Sequence, residues 1–190
     1  MNQDAVLADM VAVAREAGAL TLSYFKRFRD LEIGIKGPAD FVSDADKESE
    51  LLIRKFLFER YPDWSFTGEE FDPVDRSNEY RWLVDPIDGT TNFINGMHYT
   101  ISIALRRGNE TVCGVLYNPP ADEMFTAIKG RGAYMNGEKL KVSEQADIGL
   151  FNVGTGLPTP GLQLYPGAYD RLDAIRAPIG AVRLVGSAAN

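Results

Sequence analysis

The residues best suited to chemistry lie between Trp82 and Phe93, where two aspartates stand three positions apart around a Pro-Ile pair. A short apolar run leads into Asp85, and a Gly-Thr-Thr triplet follows Asp88. This order is typical of a strand that delivers acidic side chains into a tight turn. An ordinary turn is the alternative interpretation, since Asp, Pro and Gly each favour turns for local reasons.

Three further carboxylates lie at the ends of predicted elements, namely those of Asp46, Glu69 and Glu70. A lone Gly-Glu-Glu sequence is common on protein surfaces, and Asp46 follows Ser43 at the spacing of a capping box, which most often only starts a helix. If Glu69 converges with the two aspartates of the central segment, the combined negative charge requires metal ions.

The carboxylate set predicts a site for a hard metal ion, Mg²⁺ or Mn²⁺. Zinc is disfavoured, because its sites usually combine several cysteines and histidines, and this sequence holds only Cys113 and His98. We interpret His98 as a surface or packing residue. If Thr90 or Thr91 begins a short helix, its free N–H groups would face the metals and bind phosphate. Two metal ions at such a place favour hydrolysis of a phosphomonoester.

The elements that must position these residues follow from the hydrophobic pattern. Helical spacing predicts a long helix over 4–28, with Asp4 as its N-cap, and a second helix from Ser43 to the residue before Pro62. Asp46 would then lie in the first turn of the second helix, whose apolar face would include Leu51. Strands are predicted at 31–35, 64–67, 81–84, 100–106, 111–117, 124–128, 150–153 and 182–185, with an Asn-Gly hairpin at 136–137 and a helix at 169–176.

The composition indicates a globular protein, since 45% of the 190 residues are hydrophobic, with a formal net charge of −7. This acidity argues against general binding to nucleic acids or membrane surfaces, both of which need basic patches. The single cysteine excludes an intrachain disulfide, and the sequence shows neither a leader segment nor a run of ~20 apolar residues. We therefore expect a cytoplasmic protein.

The segment from Trp82 to Phe93 resembles the first sequence motif of the inositol monophosphatase family, the Mg²⁺-dependent, lithium-sensitive phosphatases of sugars and inositol. Three other segments are similar to family motifs in the same order: 40–46 to Asp-Leu-Val-Thr-x-x-Asp, 66–70 to the Gly-Glu-Glu motif, and 185–189 to the Gly-(Ser/Thr)-Ala-Ala segment. The resemblance covers nearly the whole chain. It implies an α+β and α/β fold, the layered αβαβα sandwich of that family.

The resemblance also implies a metal centre. Glu69, Asp85 and the carbonyl of Ile87 would bind a first metal ion, and Asp85 and Asp88 would share a second. The expected cofactor is therefore a set of two or three Mg²⁺ ions, for which Mn²⁺ is an alternative.

Catalytic and substrate-binding roles are implied in the same way. Glu69, aided by Asp46 and Thr90, would position or activate the attacking water, while the amides of Gly89 and Thr90 would hold the phosphate. Lys36 would correspond to a family lysine that precedes the segment 40–46. The residues expected to contact the alcohol part of the substrate are Gly186, Ser187 and Ala188.

The sequence departs from the family pattern towards its C-terminal end. Family members carry a Trp-Asp motif whose aspartate completes the second metal site, whereas Trp64 and Trp82 are the only tryptophans here and neither precedes an aspartate. We interpret the chain as C-terminally truncated, with the second half of the fold incomplete. Loss of a ligand weakens metal sites, so we expect the chain to be weakly active or inactive alone.

The predicted organisation is two domains. Residues 1–143 hold the helices and an antiparallel sheet with the metal-binding motifs, and residues 144–190 begin an α/β subdomain. The expected function is Mg²⁺-dependent hydrolysis of a small phosphorylated alcohol, with inositol monophosphate as the leading substrate. A related sugar, nucleotide or histidinol phosphatase is one alternative. A non-catalytic interaction module, which would keep the fold for binding a protein or for homodimerisation, is another.

Overall fold

The computed structural model describes residues 1–30, 38–155, 167–176 and 178–184. Two long helices, α1 (Gln3–Asp30) and α2 (Pro38–Arg60), pack against each other and precede a seven-stranded sheet. Neither they nor any other helix among these residues is long and apolar enough to cross a membrane. The strand predicted at 31–35 lies outside the described residues.

Helix α1 confirms the helix that apolar spacing predicts, although its N-cap differs. The Asn2 side chain accepts the backbone N–H of Asp4 at 3.1 Å, so Asn2 caps the helix and Asp4 lies in its first turn. The prediction that Asp4 is the cap is therefore wrong. The buried residues along the inner face of α1 include Val6, Met10, Val13, Ala14 and Ala17.

Helix α2 begins at Pro38, well before the predicted start at Ser43. Proline suits the first turn of a helix, because its φ is already helical and its missing N–H would have no partner there. The capping-box prediction at Ser43 is therefore wrong, and Asp46 lies in about the third turn rather than the first. Leu51 is 49% exposed and does not belong to the apolar face. The fully buried residues on the inner face are Ala45, Ser49, Glu50, Ile53 and Leu57.

The sheet runs in chain order from β1 to β7. β1 and β2 are parallel, and every other neighbouring pair is antiparallel, so the predicted hairpin at 136–137 is confirmed. Asn136 and Gly137 both have positive φ, as a type I′ turn requires. The strands are β1 (Ser65–Thr67), β2 (Tyr80–Asp88), β3 (Thr100–Arg107), β4 (Glu110–Asn118), β5 (Glu123–Ile128), β6 (Gly132–Met135) and β7 (Glu138–Lys139).

Two apolar clusters hold the helices against the sheet. The larger one includes Trp82 and Ile103 from the sheet and Ile53 from α2. The smaller one surrounds the end of β2, where Ile87 packs with residues of α1, α2 and the segment after β2. This second cluster fixes the backbone that carries the central acidic segment. Its buried members are Phe25, Ala45, Ile87, Phe93 and Tyr99.

The chain divides into two compact units, one comprising residues 1–140 and the other beginning at Lys141. In the second unit, β8 (Asn152–Thr155) and β9 (Ala181–Leu184) form a parallel pair with α4 (Ala168–Arg176) between them in sequence. β8 starts later than predicted, because Ile148–Leu150 form a 3-10 turn capped by the Asp147 side chain. The two-domain boundary between residues 143 and 144 stays a prediction.

Candidate functional site

Asp85 and Asp88 lie near the end of β2, beside β3. Asp85 is paired with Ser102 and Asp88 with Thr100, so three steps along β2 match two steps along β3. The additional residue is a β-bulge. In a regular strand, residues three apart point to opposite faces of the sheet. Because their partners are two apart and share a face, the bulge places both carboxylates on one side of the sheet.

The turn after Asp88 is built by Gly89, whose φ of 96° is left-handed and costs glycine no Cβ clash. A short helix, α3 (Thr90–Ile94), begins immediately after it and confirms the predicted helix. The Thr90 hydroxyl donates to the carbonyl of Ile87 at 3.2 Å. A carbonyl oxygen has two lone pairs, so this bond leaves Ile87 one lone pair for a metal ion.

A buried donor orients Asp88. The hydroxyl of Thr100, a residue with no exposed surface, donates to Oδ2 of Asp88 at 3.0 Å. The sequence gives no sign of this contact, because Thr100 belongs to another strand. The register of β2 and β3 brings the two side chains together.

The turn that carries Glu69 follows β1 and is held by α2. One carboxylate oxygen of Glu50 accepts the backbone N–H of Glu70 at 2.7 Å. The same carboxylate lies against Gly68, where a Cβ atom would be 2.2 Å from Oε1 of Glu50. Glu69 is exposed and Glu70 half-buried. Sequence reasoning missed Glu50, although its position one helical turn after Asp46 could have indicated it.

The electrostatics show that these carboxyl groups influence one another. Burial raises the pKa of Asp46 to about 8, with further contributions from Glu70, Glu69 and Asp85. Burial likewise raises the pKa of Asp85 to about 7, with the charges of Glu69 and Asp88 adding to it, and the backbone N–H of Ile87 opposes this shift. Strong local negative potential of this kind favours a cation.

An unsatisfied oxygen marks where such a cation would fit. Oδ1 of Asp85 is buried and has no hydrogen-bond partner among the described residues. Within the same residues, no three Asp, Glu, His or Cys side chains are gathered closely enough to form a metal ligand set as they stand. The donors available nearby are carboxylate and carbonyl oxygens, the ligands that Mg²⁺ and Mn²⁺ prefer. The donor chemistry therefore fits these ions, and the complete ligand set stays a prediction.

Gly186, Ser187 and Ala188, the expected contacts of the alcohol part of the substrate, fall outside the described residues, as does Lys36. His98 is exposed, in accordance with its interpretation as a surface residue, and the free Cys113 is buried in β4.

The chain matches the model of the inositol monophosphatase family over residues 2–190. It is 37% identical to an inositol-1-monophosphatase of Rhizobium meliloti, over 99% of this chain and 71% of the relative. It is 34% identical to the Nus factor SuhB of Pasteurella multocida, over 94% of this chain and 68% of the relative. A crystal structure of the extragenic suppressor protein suhB from Bartonella henselae superposes with a TM-score of 0.84 at 36% identity, covering 97% of this chain and 72% of the other.

These similarities confirm the predicted fold class, because the matched structure has the inositol monophosphatase type of layered α/β sandwich. The chain belongs to the inositol monophosphatase family of phosphoric monoester hydrolases.

Proposed function

We propose that this chain carries the catalytic centre of a Mg²⁺-dependent phosphatase of small phosphorylated alcohols, with inositol monophosphate as its substrate. The observation that carries the proposal is the shared face of Asp85 and Asp88 together with the buried, unpartnered Oδ1 of Asp85. Two carboxylates on one face of the sheet, where the local electrostatic potential is strongly negative, are suited to binding divalent cations. The membership of the chain in a phosphatase family supports the same conclusion.

The residues proposed to hold the ions are those around the end of β2. Asp85 would bridge two ions, with Glu69 and the Ile87 carbonyl completing the first site and Asp88 contributing to the second. Bound ions of this kind polarise the phosphate and lower the pKa of a water molecule. Two or three Mg²⁺ ions are expected, and Mn²⁺ would serve in their place.

The chain's own residues would then orient the reaction. Glu69, with Asp46 and Thr90, would hold the attacking water and accept its proton, while the amides of Gly89 and Thr90 would bind the phosphate oxygens. The water oxygen forms a bond to phosphorus as the bond from phosphorus to the ester oxygen breaks. The leaving ester oxygen would take up, through solvent, the proton that Glu69 accepted, so that the products are the alcohol and inorganic phosphate.

Release of inorganic phosphate tests this function directly. The chain would be assayed with inositol 1-phosphate, fructose 1,6-bisphosphate, histidinol phosphate and 3′-phosphoadenosine 5′-phosphate, each with Mg²⁺ and with a chelator. In keeping with the weak activity expected of this chain alone, we expect weak, chelator-sensitive release that is highest for inositol 1-phosphate and lost in Asp85→Asn. The matched control is Asp72→Asn, which changes an exposed aspartate. Higher phosphate release from another ester would assign this chain the activity of a related phosphatase instead. Phosphate release that is unchanged both by chelator and by Asp85→Asn would contradict the proposal.

A second candidate function is a non-catalytic interaction module. The observation that favours it is the name of one relative, a Nus factor from Pasteurella multocida. Metal binding discriminates between the two, because an interaction module has no need of Mg²⁺. A chain that binds no divalent cation and releases no phosphate would support the second candidate.

Some properties stay predictions from the sequence. A cytoplasmic location stays a prediction that rests on the single cysteine of the sequence. Homodimerisation stays a prediction, and sedimentation of the purified chain would test it. No nucleic-acid or membrane partner is expected for a chain with a formal net charge of −7.

A further inference from the structure

Glu50 is a fully buried acidic residue on α2. It follows Asp46 by four positions, so both side chains lie on the same side of the helix. Removing a carboxylate from water is costly unless hydrogen bonds or cations compensate it. No ion pair of Glu50 is found among the described residues, where Oε1 has no hydrogen-bond partner at all. An apolar side chain of similar size would be buried here at a lower cost in free energy, so the presence of an acidic residue needs a local explanation.

The explanation lies in what the carboxylate touches. Its Oε2 oxygen accepts the backbone N–H of Glu70 at 2.7 Å, a charge-assisted hydrogen bond. On the other side it lies against the Cα of Gly68, where any Cβ would overlap the carboxylate at 2.2 Å. Glu50 thus contacts the residues on both sides of Glu69. Gly68 has no side chain and so leaves room for the Glu50 carboxylate, while the N–H of Glu70 donates a hydrogen bond to it.

These two contacts of Glu50, on either side of Glu69, determine the direction of the Glu69 side chain. Glu69 is itself exposed, so packing of its own side chain contributes little to its orientation. Its backbone is fixed instead at the two flanking positions, through the contacts of Gly68 and Glu70 with Glu50. The charge of Glu69 contributes to the raised pKa of both Asp85 and Asp46, in agreement with a turn that lies near these carboxyl groups.

We propose that Glu50 is a positioning residue, which holds the turn of Gly68, Glu69 and Glu70 so that the Glu69 carboxylate is directed towards Asp85. The inference rests on the proposed function in one respect, namely that Glu69 binds metal. In this proposal Glu50 binds neither metal nor substrate. It acts through the backbone of the turn, and its effect on the turn is measurable without any metal.

Three variants and one control separate this role from a structural one. Glu50→Met keeps the length of the side chain but accepts no hydrogen bond, Glu50→Gln keeps an acceptor oxygen, and Gly68→Ala places a methyl group where the carboxylate lies. The control, Glu59→Gln, neutralises an exposed carboxylate on the same helix. The measurements are hydrogen exchange of the Glu70 amide without metal, the Kd for Mn²⁺ by calorimetry, and the Tm.

We expect Glu50→Met to speed exchange of the Glu70 amide at least about tenfold and to weaken Mn²⁺ binding about 10–100-fold, as loss of an outer-shell partner does. Its metal-free Tm should be unchanged or higher, because a buried carboxylate has been replaced by an apolar group. Glu50→Gln should stay within about threefold of the parent chain in both exchange and Kd, and Glu59→Gln should match the parent. Unchanged exchange and Kd in Glu50→Met would overturn the proposal.

The remaining outcomes are equally decisive. If Glu50→Met does not fold, Gly68→Ala decides, since it displaces the same carboxylate from the other side and should expose the Glu70 amide. An unchanged Glu70 exchange rate in Gly68→Ala would overturn the proposal. If the parent chain binds no Mn²⁺, the proposed metal centre fails. Glu50 is then judged by exchange of the Glu70 amide alone.

Discussion

Asp85 and Asp88 stand three residues apart in β2 but face the same side of the sheet, because one additional residue bulges between their partners Ser102 and Thr100. Without this bulge the two carboxylates would lie on opposite faces. The shared face concentrates negative charge beside Glu69, and the pKa of Asp85 rises to about 7 in consequence of burial and these charges. The following predictions test what this arrangement does.

The metal-free chain should lose stability as the pH rises from about 5 to 8. Asp46 has a pKa of about 8 in the folded chain against an ordinary value of 3.8, so the folded state binds more protons across this interval. Stability falls as pH rises wherever the folded state binds more protons than the unfolded state. The loss is complete only above the folded-state pKa, which is the higher of the two. We expect the Tm measured in chelator to fall by at least about 5 °C.

The variant Asp46→Asn should reduce this pH dependence, because the amide does not titrate. The part that remains comes from Asp85, whose pKa of about 7 also lies in this interval. Its Tm at pH 8 should exceed that of the parent chain in chelator. Asp72→Asn, which changes an exposed aspartate, should keep the full slope. An undiminished slope in Asp46→Asn would show that its carboxyl group is not the source.

Divalent cations should stabilise the folded chain by mass action. At a concentration 100 times the Kd, a ligand that binds only the folded state adds about 2.7 kcal/mol to the free energy of unfolding. For a chain of this size we expect Mg²⁺ or Mn²⁺ to raise the Tm by about 5–10 °C at pH 7.5. NaCl at the same ionic strength provides the control. A Tm that follows ionic strength alone would indicate screening rather than binding.

Thr100→Val should weaken the metal centre without changing the shape of the core. The substitution removes the hydroxyl that donates to Asp88 at 3.0 Å. We expect the Kd for Mn²⁺ to rise about tenfold and the free energy of unfolding to fall by about 1 kcal/mol. Thr111→Val changes an exposed strand threonine and should leave the Kd as it is. If both variants bind Mn²⁺ equally, the contact between Thr100 and Asp88 does not orient the ligand.

Gly89→Ala should destabilise the chain, because an alanine at φ 96° brings its Cβ too close to the backbone. We expect a loss of about 1–2 kcal/mol in the free energy of unfolding, measured with urea. Gly114→Ala is the matched control, since Gly114 lies in a strand where an added Cβ meets nothing within 4 Å. A smaller loss at Gly89 than at Gly114 would contradict the strain at this turn.

Local sequence patterns predict the elements of this fold well where neighbours in sequence determine them. The spacing of Val6, Met10 and Val13 predicts α1, and the alternating and apolar runs predict the strands of the sheet. The start of α2 is different, because the Ser43 pattern and Pro38 compete for the first turn and the proline begins the helix. Each motif signals a possible start, and the sequence does not rank them.

The residues of the site also divide into those that the sequence indicates and those that it does not. Its acidic ligands are visible in the sequence, because the segment with Asp85 and Asp88 combines residue types that have few other uses together. Glu50 and Thr100 are not visible, since their roles depend on contacts with residues that are distant in the chain. The common face of the two aspartates also depends on the register with β3, which no local pattern records.

Mn²⁺ titration of the parent chain and of Asp85→Asn, followed by calorimetry at pH 7.5, tests the central claim most directly. The account predicts saturable binding by the parent chain and a loss of at least about 100-fold in affinity for the variant, because the bridging carboxylate is gone. Asp72→Asn should bind as the parent does. Equal binding by the parent and Asp85→Asn, or no binding by either, would contradict the assignment of this face of β2 as a metal centre.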